Sequence, residues 1–187
     1  KAILKHSELF SQYKSNKRLD IIIDAMQQLQ DNLADKIHLT ISGNCDNPDY
    51  YTKLIFKPHL FTTNYTRIPD CKIADLFCSN HYLILPYENV AQSGPHMIAY
   101  RYNLPTIASD IDGFKERIQD GINGYLFKVN DVEDLKRVLK LVIEMHASSY
   151  KKIKSNLNLF VQQNYSTQRI ISNYRSIINK TSENNLK

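Results

Sequence analysis

The chain has 187 residues, 42% of them hydrophobic and 23% charged, which suits one globular domain of ordinary size and not two large ones. No apolar run approaches the roughly 18 to 20 residues that a membrane-crossing helix needs, so a soluble chain is expected. A formal net charge of +5 suits an anionic partner, whether a phosphate ligand, nucleic acid or the cytoplasmic face of a membrane, and the lack of an Arg- and aromatic-rich stripe argues against nucleic acid.

The three cysteines, Cys45, Cys71 and Cys78, have neither a zinc nor a redox spacing and read as reduced cytosolic thiols. The chain opens on Lys1 without a leader, and is expected to be a piece of a longer polypeptide.

In chain order, "LDIIIDAMQQLQ" predicts a helix with Leu19, Ile22, Ile23, Met26 and Leu29 on one face, and "KIHLTISGN" predicts a short strand ending at Gly43. A polar helix from "NPDYYTKLI", a strand "LFTTNY" and a helix "PDCKIADLFCSN" started by Pro69 and Asp70 follow. "HYLILPY" is apolar throughout, as a strand covered on both faces reads. Next come a helix over 95–102, a strand "PTIAS", a turn, a helix "FKERIQD" over 114–120 and a strand "GYLFKV".

After Val129 the strands stop. Asn130 and Glu133 have the spacing of a capping box opening the helix "DVEDLKRVLKLVIEMH", whose Val132, Leu135, Val138, Leu139 and Val142 share a face. Helices over about 148–163 and 166–179 complete the chain, and "TSENNLK" is expected to fray. The alternation predicts one α/β domain over 1–187, a Rossmann-like parallel sheet with helices on both faces over about 7–145, then extra C-terminal helices over 148–180.

In such sheets ligands bind beyond the carboxyl ends of the strands, where a helix N-terminus offers N–H groups and partial positive charge to an anion. "LILPY" followed by "ENVAQSGPHMIAY" makes that junction, with Gly94 permitting close backbone approach and Pro95 in the first turn. Of the five glycines, four lie at 94, 113, 121 and 124, around this edge.

The run "YLILPY...QSG...IAYRYNLPTIASDIDGFKERIQDGINGYLF...NDVEDL" resembles the donor-binding half of glycosyltransferase family 4 (group 1), enzymes of the GT-B architecture. Its parts correspond to that family's Leu-Pro-Tyr strand end, Gly-containing turn, helix, Pro-Val-Ile-Ala-Ser strand, Gly-x-x-Glu turn and Asp-Gly-x-x-Gly turn. "LFSQYKSNKRLDIIIDAM" is similar to its Phe-Gly-x-Ile-Arg-x-Tyr-Lys-Gly-x-x-x-Leu-Ile-x-Ala segment, and the resemblance spans about residues 7 to 145.

The resemblance implies a GT-B half that binds a nucleoside diphosphate sugar as donor substrate, with no metal and no other cofactor. The sugar would pass, with retention, to a carbohydrate or lipid-linked acceptor held mostly by an N-terminal domain absent from this chain. Lys17 and Lys14 would be the cations facing the β-phosphate, and the backbone N–H groups of Ser93 and Gly94, in the turn with Gln92, the helix-end donors. Ser11, where the family prefers Gly, and Gln12 would border the phosphates, and Arg67 and Ile68 in "YTRIPD" would meet the base through their backbone. Glu88 would approach the sugar hydroxyls. Glu116, matching Gly-x-x-Glu, would orient the phosphate loop or favour a helix start by its charge.

The departures are specific. Family members often carry two glutamates eight positions apart, the second contacting the ribose, and those places hold Val90 and Ile98. Asn103 replaces a preferred Gly, and Asn tolerates the left-handed conformation. "DID" at 110–112 has the form of an Asp-x-Asp metal motif but is better explained as the turn between a strand and a helix. His96 reads as an incidental surface residue. The resemblance implies an enzyme of polysaccharide or glycolipid synthesis, cytoplasmic or at the inner membrane face, its isolated domain inactive alone. The alternatives are a non-catalytic partner subunit and a sugar-nucleotide epimerase.

Overall fold

The computed structural model describes residues 7–9, 17–45 and 47–184. Six parallel strands form two ladders. β1 (Ser7–Leu9), β2 (Leu39–Gly43) and β3 (Phe61–Asn64) pair in that order, and β4 (Leu83–Leu85), β5 (Thr106–Ser109) and β6 (Tyr125–Phe127) form the second ladder. β1 lies beside β4, so the spatial order is 3-2-1-4-5-6. The direction of winding reverses between β1 and β4, which is the topological switch point where doubly wound sheets take their ligands.

The sheet is covered on both faces, and β4 shows how. Leu83, Ile84 and Leu85 are each fully buried, yet Ile84 joins one hydrophobic cluster while Leu83 and Leu85 join the other. Successive side chains of a strand point to opposite faces, so an unbroken apolar run belongs where both faces are packed. The larger cluster takes Leu19, Ile22, Ile23 and Met26 from α1 (Leu19–Gln27) and Leu135, Val138, Leu139 and Val142 from α7 (Val132–Glu144). The smaller holds Phe77 of α4 (Asp70–Cys78), Ala99 of α5 (Gly94–Arg101) and Phe114 of α6 (Asp112–Lys115). Burying one such aliphatic or aromatic side chain contributes roughly 1.5–3 kcal/mol.

Among the described residues three elements lie outside the expectations from sequence: the three-residue β1, α2 (Asp31–Ala34), a single turn after α1, and a 3-10 turn over Pro58–Leu60 just before β3. α3 (Pro48–Leu54) starts as expected, with the Asn47 side chain accepting from the Tyr50 N–H at 3.2 Å. The helix expected over 114–120 is only the four residues of α6. Beyond it Asn123 takes over the backbone, its Oδ1 accepting from the Gln119 N–H at 2.8 Å and its Nδ2 donating to the Arg117 carbonyl at 3.2 Å. The chain therefore leaves the helix for a side-chain-stapled turn.

The capping box at Asn130 and Glu133 does not form. Asp131 is the cap of α7, its carboxylate accepting from the Asp134 N–H at 2.9 Å, while Asn130 sits outside the helix with φ 61°. α8 (Ala147–Tyr165) and α9 (Thr167–Asn184) close the described chain, α9 running past the expected end at 179. Asn103 has φ 49° and closes α5 as expected. Among the described residues no helix is long and apolar enough to cross a membrane.

Candidate functional site

The carboxyl edge of the sheet at the switch point is bounded by the loop before α1 and the loop between β4 and α5. Lys17 lies on the first and Tyr87 on the second, two residues beyond the end of β4. The Lys17 ammonium donates to the Tyr87 hydroxyl at 2.8 Å and stands 4.0 Å from the centre of its ring. Tyr87 is buried and backed by Phe114, ring centres 5.8 Å apart. The cation thus rests on an aromatic face held from below, a contact worth about 0.5–2 kcal/mol, instead of extending into solvent.

The β4–α5 loop ends in the turn at 92–94. Ser93 is the N-cap of α5, its hydroxyl accepting from the His96 N–H at 3.4 Å, and Pro95 stands in the first turn. Gly94 opens the helix with an ordinary negative φ, so no backbone conformation demands glycine there. What glycine supplies is room: a Cβ at position 94 would meet nothing within 4 Å. The side-chain direction at Gly94 is therefore open at a helix start, where N–H groups and the helix dipole favour an anion.

Glu88 follows Tyr87. Its Oε1 accepts from the Asn130 Nδ2 at 2.8 Å and lies 3.8 Å from the Arg18 guanidinium. Arg18 has φ 42° and donates to both carboxylate oxygens of Asp20 at 2.9–3.2 Å and to the Asn130 side chain. The Asp20 hydrogen bond, with the nearby charges of Asp20 and Glu88, holds the Arg18 guanidinium above its ordinary range. Sequence reasoning singled out neither Arg18 nor Tyr87 as part of this edge. For Tyr87 the signal was available, since it ends the apolar run "HYLILPY".

His96 is a correction. It is 2% exposed, its ring packed edge-on against Tyr100 and Phe114 at 4.5 and 5.5 Å. Burial, assisted by the charge of Arg117, pushes its imidazole down to about 3, and its Nε2 has no hydrogen-bond partner. A polar residue beside Pro95 looks exposed in sequence, but the face of α5 that it occupies is the packed one.

Glu116 is also placed differently. It stands at the C-terminal end of α6, its side chain exposed and 3.6 Å from the Arg117 guanidinium, so the first-turn acid is Asp112. The "DID" segment links β5 to α6, as expected: Asp112 is the first residue of the helix, and the Asp110 carboxylate accepts from the Val129 N–H at 3.0 Å. Val90 and Ile98 pack against the smaller cluster. Gln92 is exposed and borders a cavity of about 170 Å³ shared with Ser93, His96 and Arg117. Arg67 is exposed and Ile68 buried on the β3–α4 link, at the same edge of the sheet. Ser11, Gln12 and Lys14 lie outside the described residues.

Comparison with known proteins adds the following. Residues 9–158 match the family described as glycosyl transferases group 1. An uncharacterized glycosyltransferase of Methanocaldococcus jannaschii is 26% identical over 167 residues, covering 88% of this chain and 42% of the relative, so the chain spans less than half the length of that protein. Among solved structures, a mutant of Staphylococcus aureus TarM, in complex with fondaparinux, α-GlcNAc-glycerol and UDP, superposes with a TM-score of 0.76 at 18% identity over 95% of this chain and 35% of its own. The C-terminal domain of a group 1 glycosyl transferase, LpcC, from Francisella tularensis superposes with a TM-score of 0.72 at 16% identity, covering 89% of this chain and 87% of that one.

Proposed function

The chain belongs to the group 1 glycosyl transferases, and from that premise we propose that it is the donor-binding half of a family 4 enzyme that transfers a sugar from a nucleoside diphosphate to a polysaccharide or glycolipid acceptor. The observation that carries this reading is the Lys17 ammonium seated on Tyr87 at the switch point, on the edge where a Cβ at Gly94, the start of α5, would meet nothing within 4 Å. The TarM complex with UDP makes uridine diphosphate the first ligand to try.

The chemical task is to let a diphosphate leave. The bond between the sugar's anomeric carbon and the β-phosphate oxygen breaks with its electron pair going to the phosphate. The acceptor hydroxyl oxygen forms the new bond, with retention, and its proton ends on the released diphosphate or in solvent. The charge that develops on the β-phosphate is met by the Lys17 ammonium, joined by Lys14, and by the N–H groups of Ser93 and Gly94, without a metal ion. Such donors are already oriented, and removing one commonly costs about a hundredfold to a thousandfold in rate. Glu88, with one carboxylate oxygen held by Asn130, takes a sugar hydroxyl on the other. Backbone groups at Arg67 and Ile68 meet the base, Gln92 and Glu116 flank the phosphate turn, and Ser11 and Gln12 border it from the amino-terminal side.

The acceptor belongs to a second domain, N-terminal to this chain in the full protein, so the isolated chain binds donor without transferring it. The enzyme works in the cytoplasm or at the inner face of its membrane, where its basic charge is useful. Calorimetric titration of the chain with uridine, guanosine, adenosine and cytidine diphosphates tests the reading: one of them binds, and Lys17→Ala weakens it. No binding to any of the four would contradict it.

The apolar Val90 and Ile98 favour a second reading, a non-catalytic subunit that keeps the fold and stabilises an active transferase. Single-turnover assays of the full-length protein with radiolabelled sugar nucleotides separate the two, since only the first releases free diphosphate in step with transferred sugar.

A further inference from the structure

Three loops meet beyond the carboxyl ends of β1, β4 and β6, and one side chain from each closes a ring of polar contacts. Arg18 precedes α1, Glu88 follows β4, and Asn130 lies between β6 and α7. The Arg18 Nη1 donates to the Asn130 side-chain oxygen, the Asn130 Nδ2 donates to Glu88 Oε1 at 2.8 Å, and Glu88 Oε1 lies 3.8 Å from the same Nη1. The remaining edge of the guanidinium is held by Asp20 through Nε and Nη2 at 2.9–3.2 Å, which ties it to the first turn of α1.

Two members of the ring, Arg18 with φ 42° and Asn130 with φ 61°, have left-handed backbones that glycine adopts at far lower cost. Residues keep such conformations where their surroundings hold them there, and these two are hydrogen-bonded to each other across 112 positions of sequence. Glycine at 18 would relieve the backbone but would release the loop before α1, leaving only the Asn130–Glu88 bond between the other two. Lys17 adjoins Arg18, and Glu88 adjoins the Tyr87 on which Lys17 rests, so the ring joins the neighbours of both partners in that contact.

We infer that Arg18, Glu88 and Asn130 form a clasp that sets Lys17 on Tyr87 and fixes one carboxylate oxygen of Glu88, leaving the other for the donor. Arg18 is a positioning residue. Its Nε and both terminal nitrogens already donate within the protein, and its single positive charge faces the two carboxylates of Asp20 and Glu88, a balance that does not attract a diphosphate. The clasp itself stands on the geometry, and only the nature of the bound anion rests on the proposed function.

The test uses Arg18→Gly and Arg18→Lys, each in the wild-type and the Lys17→Ala backgrounds, with two readouts. In ligand-free hydrogen exchange Arg18→Gly leaves the melting temperature unchanged and speeds exchange at 17–20, 87–90 and 129–131 by about tenfold or more. Uridine diphosphate affinity falls about tenfold with Arg18→Gly in the wild-type background and no further in Lys17→Ala, as expected of a residue acting through another. Arg18→Lys does not restore it, because a point charge cannot bridge Asp20 and Asn130 at once. An equal loss in both backgrounds means that Arg18 touches the nucleotide and overturns the proposal, as does unchanged exchange in the three loops. If the wild type binds no nucleoside diphosphate, the proposed function fails while the exchange measurement still decides the clasp.

Discussion

Two glycines stand in the first turns of two helices on this edge of the sheet, α5 and α6, in opposite surroundings. At Gly94, the first residue of α5, an added Cβ would meet nothing within 4 Å, whereas at Gly113, the second residue of α6, it would lie 2.1 Å from the Val90 carbonyl oxygen and 3.3 Å from that of Ala91. Gly113 is small because protein backbone presses on it, and the backbone pressing on it belongs to the loop that leads to Gly94. One turn is a brace and the other is free to receive something. Identical residue types at two helix starts are thus told apart by what surrounds them, and the proposed function puts the ligand at the open one.

The contrast predicts how mutations divide between function and stability. The largest effect falls on Lys17→Ala, which lowers the turnover of the full-length enzyme by about a hundredfold to a thousandfold while lowering the stability of the domain by no more than about 0.5–2 kcal/mol, the worth of the Tyr87 contact. Gly113→Val does the reverse. It forces the β4–α5 loop away from α6 and destabilises by roughly 1–3 kcal/mol or more, visible as a lower urea midpoint, with donor affinity lost only as the loop moves. Gly94→Val keeps the stability within about 0.5 kcal/mol yet lowers nucleoside diphosphate affinity about tenfold, a difference of about 1.4 kcal/mol by titration. If Gly94→Val unfolded the domain, or Gly113→Val left it intact, the contrast would be wrong.

A smaller effect tests the packing beneath the free turn. His96 titrates at about 3 when folded against an ordinary 6.5, so between those values the unfolded chain binds the extra proton. Its contribution to stability is complete above about pH 6.5 and falls by about 1.4 kcal/mol for each pH unit below that, toward 3. Unfolding followed from about pH 7 to pH 5 shows this slope in the wild type and a shallower one in His96→Leu. Equal slopes would mean that His96 is not buried in its neutral form.

Much of the fold was legible because periodicity is a local signal. The uninterrupted Leu83-Ile84-Leu85 run marks a strand packed on both faces, and the spacing of Leu135, Val138, Leu139 and Val142 marks one face of α7. β1 carries no such signal: three residues, Ser7 to Leu9, acquire their strand identity from pairing with Ile41, Ser42 and Gly43. α6 was overextended because helical spacing cannot show that Asn123 claims the backbone that follows. Of the candidate site, the turn at 92–94 could be read from residue types at a strand end, whereas Lys17 was singled out only through the resemblance to the family. The clasp could not, since Arg18, Glu88 and Asn130 are 42 to 112 residues from their partners and only folding brings them together.

A crystal structure of the chain with uridine diphosphate, or with whichever nucleoside diphosphate binds, tests the central claim most directly. The account predicts the β-phosphate between the Lys17 ammonium and the N–H groups of Ser93 and Gly94, within hydrogen-bond distance of both. A nucleotide seated instead in the groove of about 570 Å³ between α1 and α3, against Asp24, Tyr50 and Phe56, would contradict it.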